Sequence, residues 1–147
     1  MTKKTFYFLS FTWGLLYTTA GLFIALIMLL TGHKPKKWGW SWYFETGKKP
    51  WGGAEWGLIF LKDKYSGDSL KNHEFGHAIQ NCWFGPLMIP LVSLPSSLRY
   101  WFRRISEKLG RKPAKPYDDI WFEKQATELG TRQMKKLKLE SVENHHI

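Results

Sequence analysis

Residues 68–85 read Asp-Ser-Leu-Lys-Asn-His-Glu-Phe-Gly-His-Ala-Ile-Gln-Asn-Cys-Trp-Phe-Gly. Asp68 or Ser69 can cap a helix that runs to about Trp83, where Gly85 and Pro86 stop it. Within it His73-Glu74-Phe75-Gly76-His77 has the pattern H-E-x-x-H. Four residues make about one helical turn, so both imidazoles share a face and can reach one Zn²⁺ about 2.0–2.1 Å away. Glu74 lies beside that face, where its carboxylate can take a proton from a water acidified by the metal. The plainer alternative is a helix whose two histidines face solvent or line a polar cleft.

A catalytic zinc needs a third protein ligand and one open position. No histidine follows His77 at short spacing, and the next ones, His145 and His146, stand at the end of the chain. The better candidate is Glu123 on a second helix, about Asp118 to Leu129, preceded by Pro116 and ended by Gly130. Glu128 is its rival, about 140° further round the helix, so only one of the two can face the ion. Glu123 shares its face with Ile120, Ala126, Thr127 and Gly130, which suit close packing. This favours Glu123 and completes a His₂Glu set with His73 and His77.

Upstream, Phe6 to Leu30 is 25 residues without a charge. As one helix it would extend about 37 Å, enough to cross a hydrocarbon core of about 30 Å. It is too long for a signal peptide and lacks a small-residue cleavage site. The expectation is a single-pass membrane anchor over residues 1–32. A zinc-binding domain over 33–130 and a mobile basic tail over 131–147 would follow. Lys34, Lys36, Lys37, Lys48 and Lys49 weakly favour a cytoplasmic location for the domain by the positive-inside rule.

Ala78 to Leu98 is also uncharged but carries Pro86, Pro90 and Pro95. A straight second span there would carry Glu123 to the opposite side of the bilayer from His73 and His77. The stretch is therefore expected to be re-entrant, interfacial or buried. Arg99 to Lys115 reads as a basic linker or amphipathic piece.

Nine tryptophans stand in 147 residues, five of them between Trp38 and Trp56. They suit either a bilayer interface or a Trp-rich core. The net charge of +10 suits an anionic membrane, and no nucleic-acid-binding signature accompanies it. Cys82 is the single cysteine, so no internal disulfide is possible. Between Trp51 and Lys62, Gly-Leu-Ile-Phe-Leu reads as a strand, and Trp56 to Leu61 is a candidate edge strand beside the motif helix. Tyr117, Tyr100 and Arg132 are candidate oxyanion donors that no spacing separates. His33 reads as an interfacial residue.

His-Glu-Phe-Gly-His followed by Glu123-x-x-Ala126-x-x-Leu129-Gly130 resembles the gluzincin zinc peptidases. The likeness is to the integral-membrane group that includes CAAX-prenyl and bacterial stress proteases, and to small uncharacterised bacterial membrane proteins of the same layout. It covers roughly Trp51 to Gly130 and is specific in two short blocks. The resemblance implies an α+β zincin-like domain, Zn²⁺ on His73, His77 and Glu123, and hydrolysis of a peptide or protein substrate near a lipid bilayer. The family carries an Asp four residues after the ligand Glu; this chain has Thr127, which retains a hydrogen bond without the charge. Two other readings remain open at this point: a zinc hydrolase of another amide bond, and a membrane-anchored interaction module with a structural zinc or none.

Overall fold

The computed structural model describes residues 1–47, 49–111 and 120–143. Among these it is an α+β arrangement of five α-helices and one four-stranded mixed sheet. The helices are α1 (Lys3–Phe11), α2 (Leu15–Leu30), α3 (Asp68–Phe84), α4 (Leu94–Lys108) and α5 (Trp121–Glu143). The strands are β1 (Lys36–Trp38), β2 (Ser41–Thr46), β3 (Gly53–Trp56) and β4 (Ile59–Asp63), in the order β1-β2-β4-β3.

The single straight helix expected over Phe6 to Leu30 is not formed. The run breaks between Phe11 and Leu15, and α1 and α2 meet at 91°. Taken together the pair has the length and composition of a span, but no single described helix is long and apolar enough to cross a membrane. The cause of the break is protein packing. Asn81 of α3 donates from Nδ2 to the carbonyl of Gly14 (3.4 Å), and Trp13 donates from Nε1 to the carbonyl of Trp83 (3.2 Å), which pins the bend onto the end of α3. From α1, Phe6 is fully buried with its ring 5.4 Å from Trp40 and 6.0 Å from Phe75. From α2, Tyr17, Thr18, Gly21 and Met28 are buried, while Leu22, Phe23, Leu26, Leu29 and Leu30 remain exposed. An uncharged run can bury against protein as readily as against lipid, and here it divides itself between a core face and an open one.

The sheet also departs from expectation. The stretch from Trp56 to Leu61 is not one strand: it turns at Gly57 and Leu58, so β3 and β4 form an antiparallel hairpin. Gly57 takes φ +68°, which the tight two-residue connection requires and a side chain would resist. β4 is interior, parallel to β2; the edges are β1 and β3, and β3 is the one that lies against the motif helix. The loops flanking this hairpin are tied by Asp63, whose carboxylate accepts from the backbone N–H of Trp51, Gly52, Tyr65 and Ser66 and from the Ser66 hydroxyl. Burial opposes that charge, but the converging hydrogen bonds hold the carboxyl well below the usual range.

The tryptophans between residues 38 and 56 are mostly structural. Trp40 is buried, Trp38 donates to Asn72 Oδ1 (3.1 Å) with Lys71 over its ring, and only Trp42 among them is largely exposed.

After α3 the chain continues as a 3₁₀ turn (Gly85–Leu87) and a π-helical turn (Ile89–Ser93) before α4. The uncharged stretch from Ala78 to Leu98 is therefore no straight span. Its Met88 and Val92 are buried against Tyr17 and Phe122.

The second helix does not end at Gly130. It runs on to Glu143, because Gln133 is buried and Met134 and Leu137 pack on the main core. Residues 131–143 thus continue α5 and are not a separate tail. Lys115, Pro116, Asp118 and the two terminal histidines, His145 and His146, lie outside the described residues.

Candidate metal centre

α3 spans Asp68–Phe84, close to its expected limits, and lies along α5. Two contacts set how near the helices come. A Cβ built on Gly76 would run into the backbone of Ala126, and one on Gly130 would run into the carbonyl of Asn72. Only glycine at both positions lets the two backbones touch. That approach carries Glu123, one turn before Ala126, to the histidine face of α3.

His73 Nε2 lies 3.0 Å and His77 Nε2 3.1 Å from the same oxygen, Glu123 Oε2, and the two Nε2 atoms are 3.1 Å apart. Ligand atoms about 2.0–2.1 Å from a tetrahedral Zn²⁺ are about 3.3–3.4 Å from one another. The three donors form a triangle of nearly that size, so an ion fits on one side of their plane with its fourth position open. Two imidazole nitrogens and one carboxylate oxygen are also a donor set that zinc accepts. Glu128, the rival ligand, is exposed and points elsewhere.

Each imidazole is oriented from behind. Gln80 donates from Nε2 to the carbonyl of Phe122 (2.8 Å) and to Gln125 Oε1 (2.9 Å). Its Oε1 is thus left to accept from His77 Nδ1–H at 2.8 Å. Thr127 donates from Oγ1 to the carbonyl of Glu123 (3.2 Å), so its oxygen lone pairs accept from His73 Nδ1–H at 2.9 Å. In both rings Nδ1 carries the proton and Nε2 offers its lone pair to the shared centre. Glu123 is fully buried. Burial works against its charge, but the imidazoles of His73 and His77 beside it, together with Ser96, outweigh it and hold the carboxyl far below the usual range.

Glu74 is buried beside the triad. Its pKa is raised, first by burial, while the histidines oppose the rise and the Glu123 charge adds to it. Edge strand β3 lies against it: a Cβ on Gly53 would stand 2.5 Å from Glu74 Oε1, so only glycine leaves the carboxylate its place. Two residues along the same strand face, Glu55 is also buried, and burial and then the Glu74 charge push its carboxyl well above the ordinary range. The Glu55 carbonyl accepts from the Tyr17 hydroxyl at 2.8 Å, which ties β3 to α2.

No family model, curated protein or solved structure matches the chain. The triad and Glu74 open onto a cavity.

That cavity holds about 780 Å³. His73, Glu74, His77 and Glu123 form its floor, β3 one wall, and Val92 and Trp101 part of the other. Of the oxyanion candidates, Tyr100 lines the cavity, Arg132 is exposed on α5, and Tyr117 lies outside the described residues. Cys82 is buried in the core beside Ser10, away from the triad, and burial pushes its thiol up to about 11. His33 accompanies Thr31 at the end of α2 (3.0 Å). Of the supporting residues the sequence reading missed, Gln125, Ser96, Gly53 and Glu55 carry no sequence pattern that marks them. Gln80 alone had a usable signal, standing one turn after His77 on the same helix.

Proposed function

We propose that this protein is a zinc metallopeptidase. The observation that carries the reading is the convergence of His73, His77 and Glu123 on one point at the floor of a cavity, with Glu74 beside them. Zinc bound there supplies a Lewis acid for the substrate carbonyl and acidifies a water. The chain's own groups account for the rest. Gln80 and Thr127 hold the two imidazoles in the tautomer that exposes Nε2. Glu74, with its raised pKa, is suited to accept a proton at Oε1 or Oε2 and to return it to a leaving amine. The outer edge of β3 borders the cavity, where an extended peptide can add as a further strand and be held by backbone hydrogen bonds. The apolar walls keep bulk water from competing for those bonds.

The test pairs metal content with turnover of a quenched fluorescent peptide library. Wild type is expected to hold one zinc per chain and to cleave. His77→Ala is expected to lose both properties. Glu74→Gln is expected to keep the metal and the fold while losing about 10²–10⁴-fold in rate. Wild-type protein with well under one equivalent of zinc, or full rate in Glu74→Gln, would overturn the proposal.

A further inference from the structure

α4 buries none of its residues. Leu94, Leu98, Trp101, Phe102, Ile105 and Leu109 recur along it at helical spacing and fall within an arc of about 100°. All are open to solvent: Leu98 is 61%, Phe102 72%, Ile105 55% and Leu109 69% exposed. A monomeric soluble surface rarely leaves so continuous a row of large apolar side chains uncovered. The row is bordered by cationic residues on both sides, with Arg99 along one margin and Arg104 and Lys108 along the other. The opposite face of the helix carries Ser96 and Tyr100, which line the cavity.

We propose that α4 is a docking helix that lies in the plane of an anionic bilayer surface. Its apolar row enters the headgroup–acyl boundary and its two cationic margins meet acidic headgroups. Charge complementarity selects this occupant. A second copy of the chain would bring two cation-bordered rows together, and each copy carries a net charge of +10. An anionic membrane matches both the row and its margins. The surface is independent of the zinc chemistry, since none of the row except Trp101 borders the cavity. Combined with the metallopeptidase reading, on which this last step rests, it places the cleft against the membrane surface and makes membrane-associated polypeptides the substrates it reaches first.

The experiment uses the full chain with Cys82→Ala and one reporter cysteine at a time, labelled with an environment-sensitive fluorophore. Leu98→Cys and Ile105→Cys report the row, and Glu107→Cys reports the far side of α4. The probes are vesicles of phosphatidylcholine alone or mixed with phosphatidylglycerol, with and without lipids brominated in the acyl chain. On the mixed vesicles the two row positions are expected to shift to the blue and to be quenched by the brominated lipid, while position 107 does neither. Arg104→Glu with Lys108→Glu is expected to weaken binding by more than tenfold, at about fivefold or more per cation removed. Unlabelled Leu98→Glu with Phe102→Glu, checked for fold by circular dichroism, is expected to do the same in a flotation assay. Co-flotation with no change at the row would assign attachment to another surface and overturn the proposal. So would equal quenching at position 107, or a row that becomes shielded with protein concentration in the absence of lipid. His77→Ala is expected to float like wild type, so loss of the zinc reading and loss of the docking surface are separate results.

Discussion

Replacing Gly76 by alanine tests the link between the helix packing and the metal centre. The added Cβ would stand 2.8 Å from Ala126 Cα and nearer still to that residue's carbonyl group. Carbon atoms rest about 3.5–4.0 Å apart, so α3 and α5 must separate by about 1 Å at this level. His73 and His77 ride on one helix and Glu123 on the other. Their donor distances of 3.0 and 3.1 Å would open toward about 4 Å. Metal sites tolerate deviations of about 0.2 Å. Loss of an orienting partner alone typically costs 10–100-fold in metal affinity, and displacement of a ligand costs more, so the expected loss is at least about 100-fold. Stability should change less. Overpacking costs about 1–3 kcal/mol, and the better helix propensity of alanine offsets about 1 kcal/mol of it. The assay is competitive zinc titration against a chromogenic chelator, with thermal melts of the metal-free protein alongside. Gly67→Ala is the control, because nothing lies within 4 Å of its added Cβ. If Gly76→Ala binds zinc within a few-fold of wild type, the close approach is not what holds Glu123 on the histidines.

Three further outcomes are expected. Thr127→Val should lower zinc affinity about 10–100-fold by freeing the His73 ring, whereas Glu128→Ala should leave it unchanged; equal effects in the same titration would remove Thr127 from the site. Glu55→Gln should raise the melting temperature at neutral pH and make no difference below about pH 4. The sign follows from the raised pKa of the buried acid: its contribution is fully present below the ordinary Glu range and is lost as pH rises toward the folded value. A neutral-pH melting temperature no higher than wild type would contradict that burial. Asp63→Ala removes the acceptor for four backbone N–H groups and the Ser66 hydroxyl, and should cost about 3–5 kcal/mol in denaturant melts; a cost under about 1 kcal/mol would show that the loops do not depend on it.

The sequence by itself determined the α3 helix and the pairing of His73 with His77, because two residues four apart meet within one helical turn and need no distant partner. The cap expected at Asp68 or Ser69 did not form, and Gly67 stands at the helix start without a side-chain capping bond. It also pointed to Glu123 over Glu128, since small residues beside one of the two marked the face that could come close. What lay between these elements was decided by tertiary structure. Phe6 to Leu30 has the same composition whether it meets lipid or protein. The contacts from Asn81 and Trp83 to the bend, and the burial of Phe6 against Trp40 and Phe75, are what broke it at 91°. Gly130 looked like a helix end because glycine often caps one. Its place against the Asn72 carbonyl shows the other use of a missing Cβ, and α5 continued because Met134 and Leu137 found a core to cover. The edge strand moved from Trp56–Leu61 to Gly53–Trp56 for a similar reason. Alternation along a strand says which faces are buried, but which strand stands at the edge depends on partners distant in sequence, here β2 beside β4. Thr127 was marked by its place four residues after Glu123, and Gln80 stands one turn after His77, but Gln125 and Ser96 act across contacts between helices, so their roles emerge only when those helices are brought together.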